Sequence, residues 1–139
     1  MNARYYDAVG GADALARLAN AFYDRVFADP VMLPLFADPG APAHAQRLAL
    51  WFGEVLDGPP EYTRRRGGFS VMINAHRGRQ ISEEQRSHWV AHIMSAYDEV
   101  GLPATLRETF VSYVEMGSRF ARHDSHRYPY PGQHLQPED

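Results

Sequence analysis

Four stretches of this chain repeat apolar residues at three- and four-residue steps, the period of a helix with one buried face, and no stretch keeps the two-residue alternation of a half-buried strand. An all-α fold is the class that satisfies this pattern. "GGADALARLANAFYDRVFADP" carries Leu15, Leu18, Phe22 and Val26 on one stripe, with Tyr23 beside it, and stops at Asp29-Pro30. An apolar "VMLPLF" and a Pro/Gly-rich "ADPGAPA" lead into "HAQRLALWFGEVL". There Leu48, Trp51, Phe52 and Val55 define the buried side, and His44 lies one turn before Leu48, facing the same way. Ser82 stands three residues before Gln85 in capping-box spacing, with Glu83 and Glu84 in the first turn. The helix they open carries Trp89, Ile93, Tyr97 and Val100 on one side and closes at Gly101. Pro103 is expected in the first turn of a fourth helix, with Leu106, Phe110, Tyr113 or Val114, Gly117 and Phe120 on its inner face.

Residues 57–69, "DGPPEYTRRRGGF", combine turn dipeptides with an arginine triplet and read as a long irregular connection, the kind of loop that carries function inside a compact domain. The end of the chain, "HDSHRYPYPGQHLQPED", is polar, proline-rich and aperiodic, which predicts a flexible tail over residues 123–139.

A length of 139 residues suits one domain with one core. The net charge of −3 offers no basic field for phosphate backbones or anionic lipid, which argues against nucleic acid and membrane surfaces as partners. Every basic residue is Arg and none is Lys, a coding bias without chemical weight. Cysteine is absent, so disulfides, thiolate nucleophiles, iron–sulfur clusters and Cys-based zinc sites are excluded, and a metal would need His, Asp, Glu or Tyr. "MNARYYDAVGG" has no signal-peptide core, and no run of about 18 apolar residues spans a membrane, so a cytoplasmic protein is expected.

Four such helices could bury one another as a plain bundle. Against that stand the long connections at 37–43 and 57–69 and the polar atoms of Tyr23, Trp51 and Trp89 on inner faces, each needing a partner when buried. A pocket would supply one. Among the histidines, His88 and His92 have the i, i+4 spacing that can clamp a metal, yet they flank the Trp89/Ile93 stripe and are expected to be a solvated flank. His123, His126 and His134 belong to the tail. His44 reads as a partly buried helix-start histidine or a ligand. His76, ending a short apolar run between two loops, reads either as an ordinary loop histidine or as a ligand aimed inward by a rigid scaffold.

The set "YYDAVGG", "FYDRV", "GPP.YTRRRG", "H....IS..QR..W" and the segment Tyr113-Val114-Glu115-Met116 resembles the truncated haemoglobins of the second group, from about Tyr5 to Phe120. The resemblance implies a truncated globin-like two-over-two helical sandwich enclosing haem b, with residues 1–122 as the globin domain. It makes His76 the proximal ligand to iron, leaving one coordination position open to O₂, CO or NO. Tyr23 matches the distal tyrosine and Trp89 the distal tryptophan, two donors for a ligand that gains negative charge on binding. Phe36 matches the aromatic that wedges against the porphyrin plane, and Leu48 and Trp51 match apolar distal positions that exclude water.

Two departures stand out. His44 occupies a position where members of the group carry a small residue, and it is expected to act as a gate or hydrogen-bond partner rather than a sixth ligand. Ala75 stands where an arginine would pair a haem propionate, and one residue is inserted between Gly67 and His76; Arg47, Tyr62 or one of Arg64, Arg65 and Arg66 must supply that anchor. The resemblance implies reversible binding of O₂ and other diatomic gases for transport, storage or sensing, in a monomer or homodimer. The alternatives are a haem enzyme, an NO dioxygenase or peroxidase fed by an external reductase, and a haem-free globin-fold interaction module.

Overall fold

The computed structural model describes residues 3–36, 38–40, 42–56, 58 and 80–125. Within them the chain is helical, without a strand. Its helices are α1 (Ala3–Val9), α2 (Gly11–Val26), α3 (Pro42–Val55), α4 (Glu83–Glu99) and α5 (Arg107–Ser125), with 3₁₀ turns at Leu33–Leu35 and Ala104–Leu106. No helix among the described residues is long and apolar enough to cross a membrane.

The α1–α2 corner is made by Gly10 at φ 111°, where a Cβ would stand 2.7 Å from that of Ala14. Backbone geometry and space both demand glycine. The short α1, which the sequence pattern did not reveal, is tied across the molecule by the Tyr5 hydroxyl, which donates to the Leu106 carbonyl at 3.0 Å. Burial, with the neighbouring Tyr97 and Tyr113, pushes that hydroxyl up to about 12, so it keeps its proton and its bond at neutral pH.

Helix α2 buries Ala14, Leu15, Leu18, Ala19, Ala21, Phe22, Tyr23 and Val26, more than one stripe, because it packs against both α3 and α4. α4 in turn packs against α5, so the pair α2–α3 lies over the pair α4–α5. The core between the pairs joins Phe52 of α3, Ile93 and Tyr97 of α4, and Phe110 and Val114 of α5. Phe110 meets Phe52 at 5.3 Å and Tyr97 at 5.0 Å between ring centroids, within the range of favourable aromatic pairing.

The ends of α4 follow the sequence closely. Ser82 accepts from the Gln85 N–H at 3.0 Å while the Gln85 side chain accepts from the Ser82 N–H at 2.9 Å, the reciprocal capping box. At the other end Gly101, at φ 74°, lets its N–H reach the Asp98 carbonyl and the Leu102 N–H reach that of Tyr97, a Schellman closure. Arg86, a residue without an assigned role in the sequence reading, is the clamp between α4 and α5. It pairs with Glu83 on its own helix and reaches Glu115 and the Ser118 hydroxyl, both at 3.2 Å, on the other. These carboxylates hold the guanidinium charged, raising it above its ordinary value.

Three expectations change. Pro103 precedes the 3₁₀ turn instead of sitting in the first turn of α5, its ψ of 123° being extended. The inner face of α5 runs through Phe110, Val114 and Ser118; Gly117 and Tyr113 are exposed, since strict four-residue steps from Phe110 carry the stripe away from them. His88 and His92 are half-buried rather than a solvated flank, because Asp29 of the turn after α2 reaches both. α5 continues through Ser125, and the rest of the expected tail lies outside the described residues.

Replacing Ser82 with Ala removes a hydrogen-bonded N-cap and is expected to cost about 1 kcal/mol of stability, read as a lower urea midpoint at unchanged m-value. An unchanged midpoint would show that the box does not hold the start of α4.

Candidate functional site

The chemistry-bearing residues that the sequence singled out converge where the last turns of α2, the loop around Phe36 and the first turns of α3 meet. Tyr23 is buried there at 7% exposure, stacked on Phe27 at 5.2 Å and set edge-on to Phe36 at 6.0 Å. His44 closes the aromatic cluster, its ring 5.7 Å from Tyr23, 5.7 Å from Phe27 and 5.2 Å from Phe36.

His44 is 3% exposed, so both ring nitrogens need partners inside the protein. Nδ1 lies 3.1 Å from a terminal nitrogen of Arg47, and Nε2 lies 3.2 Å from the Asp38 carbonyl oxygen. A guanidinium can only donate and a carbonyl can only accept. Nδ1 therefore presents its lone pair to Arg47, and Nε2 carries the proton and donates it to Asp38. The network fixes one neutral tautomer. Arg47, expected as one of the possible propionate anchors, is itself buried at 8% exposure with one arm committed to His44.

Trp89 of α4 reaches the cluster through Phe22, whose ring is 5.4 Å away and edge-on, while Phe22 is in turn 4.8 Å from Tyr23. Tyr23 and Trp89 thus share one wholly buried neighbour. Leu48 and Trp51 of α3 and Trp89 and Val90 of α4 are half-buried and packed against the core. α3 and α4 both rest on α2 but share no comparable packing with each other among the described residues.

The structure accordingly brings together Tyr23, Phe36, His44 and Arg47, with Leu48, Trp51 and Trp89 along the edge. His76, Tyr62 and Arg66 lie outside the described residues, as do Ala75, Arg64 and Arg65. Phe22, Phe27 and the Asp38 carbonyl belong to the site and were missed. The i, i+3 spacing of His44 and Arg47 was the available signal for their contact; no local pattern announces a backbone carbonyl six residues before a histidine.

A haem fits this donor set. α3 and α4 carry large apolar groups that are only half-buried, which suits a flat apolar macrocycle. A phenol, that of Tyr23, and an indole, that of Trp89, come from two different helices beside them and could each donate a hydrogen bond.

Comparison with known proteins converges on the same point. Residues 4–122 match the bacterial-like globin family. The chain is 33% identical over 116 residues to the group 2 truncated hemoglobin YjbI of Bacillus subtilis, covering 82% of this chain and 84% of that protein. Its fold is similar to that of a thermostable hemoglobin from the actinobacterium Thermobifida fusca, with a TM-score of 0.74 at 35% identity over 84% of this chain and 94% of that one. A truncated oxygen-avid haemoglobin from Bacillus subtilis gives a TM-score of 0.74 at 29% identity, over 84% and 96% of the two chains. A two-layer helical fold with half-buried Leu48, Trp51 and Trp89 beside its aromatic cluster, matched by one family along almost all of its described length, has one reading: the chain belongs to the bacterial-like globins as a group II truncated haemoglobin, and its cofactor is haem.

Proposed function

We propose that this protein binds O₂, and with it CO and NO, at a haem iron held by His76, with Tyr23 and Trp89 as hydrogen-bond donors to the gas. The observation that carries the proposal is the double commitment of His44. With one nitrogen on Arg47 and the other on Asp38, the imidazole beside Tyr23 has no lone pair left to compete for a metal. The distal position stays available to a small ligand.

When bound, haem would supply an iron that an imidazole, proposed here as that of His76, would hold and that could take a diatomic ligand. What the chain contributes is orientation, exclusion of water and hydrogen bonds. Tyr23 is held by aromatic contacts on three sides, so its hydroxyl loses little freedom when it donates to a ligand. The Trp89 indole N–H can only donate, which favours a ligand that gains negative charge over one that does not. Leu48 and Trp51 keep bulk water away and so strengthen both bonds. Phe36 would pack against the porphyrin, and Arg47, Tyr62 and Arg66 are the proposed groups for its propionates. The family match and the oxygen-avid relative support this assignment of roles.

His76→Ala is expected to abolish stable haem incorporation, or to leave a spectrum restored by added imidazole. A wild-type spectrum in His76→Ala, with loss of haem in His44→Ala or His92→Ala instead, would overturn the proximal assignment.

Tyr23→Phe and Trp89→Phe should each speed O₂ dissociation. A lost charge-assisted hydrogen bond of roughly 1.5–3 kcal/mol corresponds to about 10- to 150-fold in stopped-flow release rates, with CO affected much less. Equal acceleration for both gases would assign these residues to steric access instead.

A further inference from the structure

A second cluster of ligating groups lies outside the gas pocket. Asp29 sits in the turn that ends α2, and its Oδ2 is 2.7 Å from Nδ1 of His88 and 2.6 Å from Nε2 of His92. The three ligand atoms lie within 4.8 Å of one another. The i, i+4 spacing puts both imidazoles on one face of α4, and the carboxylate reaches them from a different element.

The groups around this cluster hold it in place. Oδ1 of Asp29 accepts the Val31 N–H at 2.9 Å, which fixes the carboxylate and leaves Oδ2 for the histidines. Gln85 of α4 donates to the Val31 carbonyl at 3.2 Å and so ties the same turn to the start of the helix that carries them. Such hydrogen bonds to the ligating groups orient a metal site and preserve its affinity. The side chains of Asp29, His92 and His88 are 11%, 23% and 39% exposed, buried enough to be ordered and open enough to admit an ion with its remaining water.

We propose that Asp29, His88 and His92 form a site for a divalent transition-metal ion, with Zn²⁺ as its best fit. Two imidazoles and one carboxylate are the borderline nitrogen and oxygen ligands that Zn²⁺ takes, three from the protein with water in the fourth position. Mg²⁺ and Ca²⁺ call for six or more oxygens and do not suit the set. At Zn–N and Zn–O distances of about 2.0–2.1 Å, tetrahedral ligand atoms stand roughly 3.3 Å apart. The present 2.6 and 2.7 Å separations therefore open by roughly 0.6–0.7 Å, which side-chain rotations supply. Each imidazole then carries its proton on the outward nitrogen. Hydrogen bonds from His88 and then His92 hold the Asp29 carboxyl down at about 2, so its charge is present at neutral pH without a metal. Binding would fasten α4, through His88 next to Trp89 and His92 one turn on, to the exit of the helix that carries Tyr23.

Calorimetric titration of Zn²⁺ into the purified full-length chain tests this, with His123, His126 and His134 replaced by Ala so that the tail offers no competing imidazoles. One Zn²⁺ per chain is expected, with affinity reduced by at least about 10- to 100-fold in Asp29→Asn and in His92→Gln. His88→Gln, at the most exposed of the three positions, should weaken binding comparably while circular dichroism stays that of the parent, so a folding defect cannot explain the loss. Absence of stoichiometric binding once the tail histidines are gone, or equal affinity in the parent and these variants, would overturn the site and leave the triad as a hydrogen-bonded staple.

Discussion

One helix holds this fold together by being buried on two sides. α2 puts Leu15, Leu18 and Phe22 at 0–1% exposure because α3 covers one face and α4 an adjacent one, and α5 joins through α4. Removal of this apolar surface from water is the main stabilising contribution, and cutting Phe22 back to Ala would forfeit several kcal/mol of it. The same double coverage sets the functional geometry. Phe22 is the common neighbour of Tyr23 and Trp89, so the packing that stabilises the two-layer arrangement also fixes the spacing of the two proposed donors.

The His44 network adds what hydrophobic packing cannot. A buried arginine and a buried imidazole are each costly alone, and their mutual hydrogen bond, with the Asp38 carbonyl completing the chain, offsets that cost. The result is directional, since it selects one tautomer and keeps the ring among Tyr23, Phe27 and Phe36. A polar residue at this position therefore shapes the pocket wall and need not act as a ligand. Asp29 performs a comparable task in the turn just after α2, where one carboxylate draws together two side chains of α4.

Most of the helical frame was legible from local pattern. The stripes of α2, α3 and α4, the Ser82–Gln85 box and the Gly101 stop all depend on residues within a few positions of one another. α1 was not legible, because seven residues are too few for a periodic signal and its anchor, the Tyr5–Leu106 bond, spans 101 positions. The phase of α5 was ambiguous, since Phe110, Tyr113, Val114 and Gly117 satisfy two overlapping stripes and only contact with α4 selects one. The site divides in the same way. Tyr23, His44 and Trp89 stood out on the inner helical faces, and the resemblance to a family added Phe36 and the donor roles, but the pairings that orient them, Arg47 to His44 and Phe22 to Trp89, follow from tertiary placement. The approach of Asp29 to His88 and His92 across about sixty residues is beyond any local rule.

Whether His44 leaves the distal position open is tested most directly by the absorption spectrum of the ligand-free ferrous protein. With His44 committed to Arg47 and Asp38, the spectrum should be that of five-coordinate, high-spin haem, and His44→Ala should leave that coordination unchanged. A low-spin, six-coordinate spectrum in the parent that turns high-spin in His44→Ala would show that the imidazole abandons both partners for the iron, and would contradict the open gas site.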